Sequence, residues 1–284
     1  MLGLTLGLSG KPDALRSLLE DSVAIWSDLG ARTALPFATV LLAAAKMFSG
    51  EYEQARTEVQ AALSLALEMS DPYASGHARL LLGAIALAQE AYAEADRWFQ
   101  ESLVSFKEIG QQTEIGVAFG FLGCAARGLG DLDRAEQLFF KALRTAVKIR
   151  SFLPAMPALP GAALLLADRG EEERAIELYT LLSRYPAITD LPWSADIAGR
   201  HITAIAAALP LEAVAAAKER GRNRDPEAAV AELFIELAAA RFLPKPPSLL
   251  GKPLAKALKP LLMAAFGGKR QRRTKAKPQP DNAQ

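Results

Sequence analysis

Gly130-Asp131-Leu132-Asp133-Arg134-Ala135-Glu136-Gln137-Leu138-Phe139 is a short polar turn running into an amphipathic helix, and the chain repeats it. Forty residues earlier stands Glu90-Ala91-Tyr92-Ala93-Glu94-Ala95 followed by Phe99, and forty before that Gly50-Glu51-Tyr52-Glu53-Gln54-Ala55 followed by Val59. Forty residues after the first stretch comes Gly170-Glu171-Glu172-Glu173-Arg174-Ala175 followed by Tyr179. A weaker copy, Gly10-Lys11-Pro12-Asp13 with Leu15 and Leu19, opens the chain. A fixed period of this length is the signature of a solenoid of stacked supersecondary units.

Each copy continues upstream into an apolar segment carrying a small residue. Leu82-Gly83 and Leu122-Gly123 lie ahead of their turns, and Leu42-Ala43, Ala162-Ala163 and Leu2-Gly3 hold the same place. One unit is therefore a helix A, a short turn and a helix B. Gly83 and Gly123 allow close helix approach from A, and Ala55, Ala95, Ala135 and Ala175 do so from B. The large residue four positions after each alanine lies on the same helical face and fills the gap between units. A single hairpin cannot bury that face, so stacking supplies the core.

These residues resemble the tetratricopeptide repeat, whose pattern is Leu-Gly in helix A, Gly-x-Tyr at the turn and Ala-x-x-x-Phe in helix B. The resemblance covers about residues 1–186 and implies an all-α, right-handed superhelical solenoid of antiparallel helix pairs. Two features depart from the family pattern. The usual large residue early in helix A is Thr39, Arg79, Phe119 or Leu159, and the proline that usually ends helix B is replaced by Leu67, Lys107 or Val147. Helix B then runs on to about Leu29-Gly30, Met69-Ser70 and Ile109-Gly110, where glycine suits a helix end. Long repeats closing on an apolar-glycine pair resemble the repeat arm of bacterial STAND-type ATPase regulators of transcription. The segment from Glu212 to Val230 resembles the way such arms end. By that likeness the parent protein carries ATPase and DNA-binding domains upstream. Met1 falls within a helix A, so the reading expects a chain that starts inside an array, as a fragment or a gene remnant.

The expected organisation is a truncated first repeat at 1–31 and repeats over 32–186. A degenerate repeat with capping helices follows at 187–242, then a largely disordered proline- and lysine-rich tail at 243–284. Within the last repeat, Pro154, Pro157 and Pro160 fall where a helix A is due, so a proline-broken helix is expected there rather than a membrane span. Asp190 to Leu209 reads as a helix with Trp193 near its start, and a second helix runs from Leu211 to near Gly221. Asp225-Pro226-Glu227 is a strong start for a final helix.

The chain has 284 residues, is 51% hydrophobic and 23% charged, and carries a net charge of +1. That near-neutrality hides an asymmetry. Residues 243–284 hold ten basic groups and one acid, leaving 23 basic and 31 acidic groups in the body. The basic run Lys269, Arg270, Arg272, Arg273, Lys275 and Lys277 is the candidate for binding nucleic acid or an anionic membrane surface. The single cysteine, Cys124, rules out an internal disulfide and fits a reducing cytoplasm.

No catalytic set is legible. His77 and His201 stand far apart without metal-ligand partners at helical spacing, and no nucleophile elbow occurs. Gly7-Leu8-Ser9-Gly10-Lys11-Pro12 has its first glycine misplaced for a phosphate loop. Glu171, Glu172 and Glu173 read as the solvated start of a helix. The expectation is a non-enzymatic protein with no cofactor and no metal. In the tetratricopeptide family, helix A lines a concave groove that takes a protein or peptide partner. By repeat position that surface is Phe37, Val40, Met47, His77, Leu80, Leu87, Val117, Cys124 and Arg127. A scaffold or sensing arm is the main expectation. An adaptor or co-chaperone-like role differs only in its partner.

Overall fold

The computed structural model describes residues 12–182 and 191–242; the basic run Lys269–Lys277 and the rest of the tail lie outside the described residues. Among the described residues every regular element is helical. These are α1 (Pro12–Asp28), α2 (Leu35–Phe48), α3 (Tyr52–Glu68), α4 (Pro72–Ala88), α5 (Tyr92–Glu108) and α6 (Gln112–Gly128). They continue with α7 (Leu132–Ile149), α8 (Ala155–Asp168), α9 (Glu172–Leu181), α10 over 192–207, α11 (Leu211–Asn223) and α12 (Pro226–Phe242). Consecutive helices contact one another from α1 through α9, forming an all-α solenoid of antiparallel pairs. No helix among the described residues is long and apolar enough to cross a membrane.

The turns explain the regularity. Left-handed residues fall at Gly30, Gly50, Ser70, Glu90, Gly110, Gly130, Arg150 and Gly170, one every twenty positions. Each closes a helix with the same pair of backbone bonds. At the end of α2, Gly50 N–H donates to Met47 O at 2.9 Å and Glu51 N–H to Lys46 O at 3.0 Å. At the end of α6, Gly130 N–H donates to Arg127 O and Asp131 N–H to Ala126 O. This is the Schellman closure, which satisfies orphan carbonyls and reverses the chain. At two of these turns the residue that finishes one helix also caps the next with its side chain. Asp71 Oδ1 accepts from Tyr73 N–H at 2.9 Å and Ala74 N–H at 3.0 Å, and Asp131 Oδ1 accepts from Arg134 N–H at 3.0 Å. The true module is thus one 20-residue helix-and-turn, and the 40-residue repeat is two of them.

Packing follows the small–large pairing read from the sequence. A Cβ added at Gly83 would lie 2.5 Å from the Phe99 ring, and one at Gly123 would lie 2.4 Å from the Phe139 ring. Both rings are fully buried. In the repeat where helix A has Ala43 instead, helix B has the smaller Val59, and both are fully buried. Ion pairs tie the units together: Arg32–Glu68 at 2.9 Å within one repeat, and Arg56–Glu94 at 2.7 Å and Arg134–Asp96 at 2.6 Å between successive repeats. The exposed Arg32–Glu68 pair contributes ~0–1 kcal/mol, and the other two pairs are partly buried.

Two expectations are corrected. α8 is continuous from Ala155 to Asp168 and is not broken by proline. Pro157 falls in its first turn, where N–H groups have no intrahelical acceptor anyway, and only Pro160 removes an interior bond. Almost the whole of α8 is buried, and that tertiary packing offsets the lost bond. The helix read from Asp190 to Leu209 is observed as α10, which is irregular. It comprises Pro192–Ser194, a π-helical stretch Ala195–Gly199, and Arg200–Ala207.

Candidate partner-binding face

The A helices α2, α4, α6 and α8 place their side chains on one face of the stack, because they are spaced by whole 40-residue repeats and share a register. At one part of this face the side chains close on one another. Phe37 of α2, Tyr73 and His77 of α4 and Phe106 of α5 form an aromatic cluster with ring centroids 4.6–5.2 Å apart. His77 Nε2 is buried there with no hydrogen-bond partner among the described residues. Burial lowers its pKa to about 4, so the imidazole is neutral at pH 7. Val40 and Met47 are buried in the core that surrounds Trp193, Leu80 is half-buried against the core, and Val117 is half-buried.

The remaining three predicted residues meet. Leu87, Cys124 and Arg127 line a cavity of about 20 Å³ together with Tyr92, Pro160, Gly161, Leu164, Asp196, Ile197 and His201. That is room for about one water molecule. Arg127 is fixed by a bidentate pair with Asp168, at 2.7 and 2.8 Å. Cys124 Sγ donates to Pro157 O at 3.4 Å, and burial pushes its thiol up to about 12, so it is not a thiolate at neutral pH. Among the described residues no group of His, Cys, Asp and Glu is gathered to hold a metal ion.

The far wall of this cavity is α10, which lies across the A-helix face and contacts α2, α4, α8 and α9. Trp193 is its anchor. The indole is 7% exposed, its N–H donates to Ala84 O at 3.0 Å, and its ring meets Phe48 and Phe121 edge-on at 5.6 and 6.0 Å. Pro192 rests against the turn at Gly50. One helical turn beyond Trp193, a carboxylate oxygen of Asp196 accepts the Tyr52 hydroxyl proton, and the other lies 2.5 Å from the Arg200 guanidinium. Burial first, and then the bond to Asp196, raise the Tyr52 pKa above its ordinary value. Repeat position alone did not select Trp193, Asp196, Tyr52 or Phe121. The available signal was an isolated Pro-Trp pair in the segment where the 40-residue pattern lapses.

No protein-family model matches the sequence, and no curated protein does. Among solved structures, the chain is similar to that described as "Crystal structure of BtubC (BKLC) from P. vanneervenii". The identity is 16%, the TM-score is 0.48, and the match covers 83% of this chain and 94% of that one.

Proposed function

We propose that this chain is a non-catalytic scaffold of the tetratricopeptide type that docks a helical segment of a partner protein across its A-helix face. The observation that carries the reading is α10. The face formed by α2, α4, α6 and α8 holds a helix laid across it, seated by one buried indole and one hydrogen-bonded carboxylate. Apolar burial with a few fixed polar groups is how amphipathic helices are held in grooves. The long repeats and the apolar-glycine helix ends further support placing this scaffold as the sensing or partner-binding arm of a bacterial STAND-type transcriptional regulator.

The test compares two surfaces. Leu80→Ala with Arg127→Ala alters the A-helix face, and Leu67→Ser with Val104→Ser alters two side chains that are 51% and 66% exposed on the B helices. Both variants and the parent chain are used to capture proteins from the source cells. Circular dichroism confirms unchanged helicity. The expected result is a partner retained by the parent and the B-helix variant and lost from the A-face variant. Loss from the B-helix variant alone would overturn the reading.

A further inference from the structure

α10 touches α8 and α9, but its anchor lies further along the A-helix face, on α2 and α4. The helix packed most extensively against α9 is α11. Gly221 of α11 lies so close that an added Cβ would be 2.4 Å from Glu177 O. Arg220 pairs with Glu173 and Glu177 at 3.0 and 2.8 Å, and Arg224 with Glu177 at 2.7 Å. α11 therefore makes the more extensive contact with α9, while α10 touches α9 and α8 and then extends along the A-helix face to α2 and α4.

Its hold on that face is local. Trp193, Ser194, Ala198 and Ile202 are its buried residues, while Arg200, His201, Thr203, Ala204 and Ala207 are exposed. The seat is also imperfect. Ser194 Oγ is buried with no hydrogen-bond partner among the described residues, and the helix takes a π turn over Ala195–Gly199. An unsatisfied buried hydroxyl is a cost that leaving the seat removes, and π turns mark places where a helix is re-aimed at a functional contact.

We propose that α10 is a resident competitor for the A-helix face. In the free chain it fills the seat of the partner's helix. The helix that displaces it carries the same two groups, an indole and a carboxylate three residues later, to engage the Ala84 carbonyl and the Tyr52 hydroxyl. The proposal rests on the reading of that face as a docking surface. Because α11 covers α9 independently of α10, and the helices from α2 to α9 contact one another directly, α10 can leave without opening the solenoid. Occupancy by α10 lowers the apparent affinity for the partner by the fraction of molecules in which the seat is open.

The probe is a fluorescein-labelled synthetic peptide spanning residues 191–209, titrated by fluorescence anisotropy into the full chain. The peptide should bind the Trp193→Ala/Asp196→Ala chain at least ten-fold more tightly than the parent. Equal affinity for both would overturn α10 as a competitor while leaving the docking surface standing. Binding to neither would overturn both. A second variant reads the opposite direction without loosening α10. A Cβ built at Gly50 is 3.4 Å from that of Pro192, close to the spacing of a disulfide. Gly50→Cys with Pro192→Cys in a Cys124→Ala chain should tether α10 in its seat when oxidised. The oxidised chain should bind the peptide at least ten-fold more weakly than the same chain after reduction, and equal binding in the two states would sink the proposal.

Discussion

Glu90 has φ 58, a value that five other positions in the 20-residue series meet with glycine. A side chain in this region crowds the following carbonyl, whereas glycine adopts it freely. Glu90 is exposed, so a change there touches little else. Glu90→Gly should stabilise the chain by about 0.5–1 kcal/mol, raising its melting temperature by ~1–4 °C in differential scanning calorimetry. The reverse change at an open site, Gly130→Ala, should cost a similar amount, since its Cβ would meet nothing within 4 Å and only the φ of 81 penalises it. His77 gives a pH signature. Its pKa is about 4 in the folded chain, against about 6.5 when unfolded. The unfolded state therefore binds the proton first. The stabilising effect of keeping the imidazole neutral is fully present above pH 6.5, is lost as the pH falls from 6.5 to 4, and changes no further below that. The loss is at most ~3 kcal/mol. His77→Phe keeps an aromatic ring among Phe37, Tyr73 and Phe106 and should flatten this limb in urea titrations across that window. An unchanged slope would place the acid sensitivity elsewhere.

Helix boundaries were legible where their chemistry was local. Gly50, Gly110, Gly130 and Gly170 announce the turns, Ala95 and Phe99 announce helix B, and Asp225-Pro226 announces α12, where Asp225 Oδ1 accepts from Ala228 N–H at 2.8 Å. The 20-residue module was harder to see, because Ser70, Glu90 and Arg150 hold the turn conformation without the residue that signals it. The site was legible only in part. Repeat position brings Leu87, Cys124 and Arg127 to one cavity, but it also selects Val40 and Met47, which neighbouring helices bury. Nothing local in residues 192–207 says that they turn back onto helices more than a hundred residues earlier; the long-range bond from Trp193 to Ala84 decides that. The element as observed predicts its own response. Trp193→Ala removes the buried anchor of α10, while the stack from α2 to α9 keeps its contacts. Hydrogen exchange should show protection falling by at least ten-fold over 192–207 with α4 to α7 unchanged. Loss spread evenly over the solenoid would mean that the indole holds the core rather than one helix.

In a stacked array each unit draws its stability from the surface it buries, so a unit that leaves much apolar surface exposed opens more easily than a fully packed one. Among the described residues α1 packs chiefly on α2. It leaves Leu18, Ile25, Trp26 and Leu29 between 39% and 69% exposed, while in the inner helices Phe99, Phe106 and Phe139 are fully buried. Burial of apolar area contributes about 25 cal/mol per Å², so α1 is held by less free energy than α5. The tryptophans report the two places directly. Trp26 lies on α1, and Trp98 lies on α5 with its indole N–H donating to Glu94 Oε1 at 3.1 Å. Two single-tryptophan chains follow from this, both carrying Trp193→Phe, one with Trp98→Phe and the other with Trp26→Phe. A local deficit of about 1–2 kcal/mol, at slopes of ~1–3 kcal/mol per molar urea, moves a midpoint by about 0.5–1 M. The Trp26 transition should therefore come at lower urea than the Trp98 transition by that amount, with far-ultraviolet dichroism following Trp98. Coincident midpoints would mean that α1 unfolds only with the whole stack, and that its exposed apolar side chains cost the array no local stability.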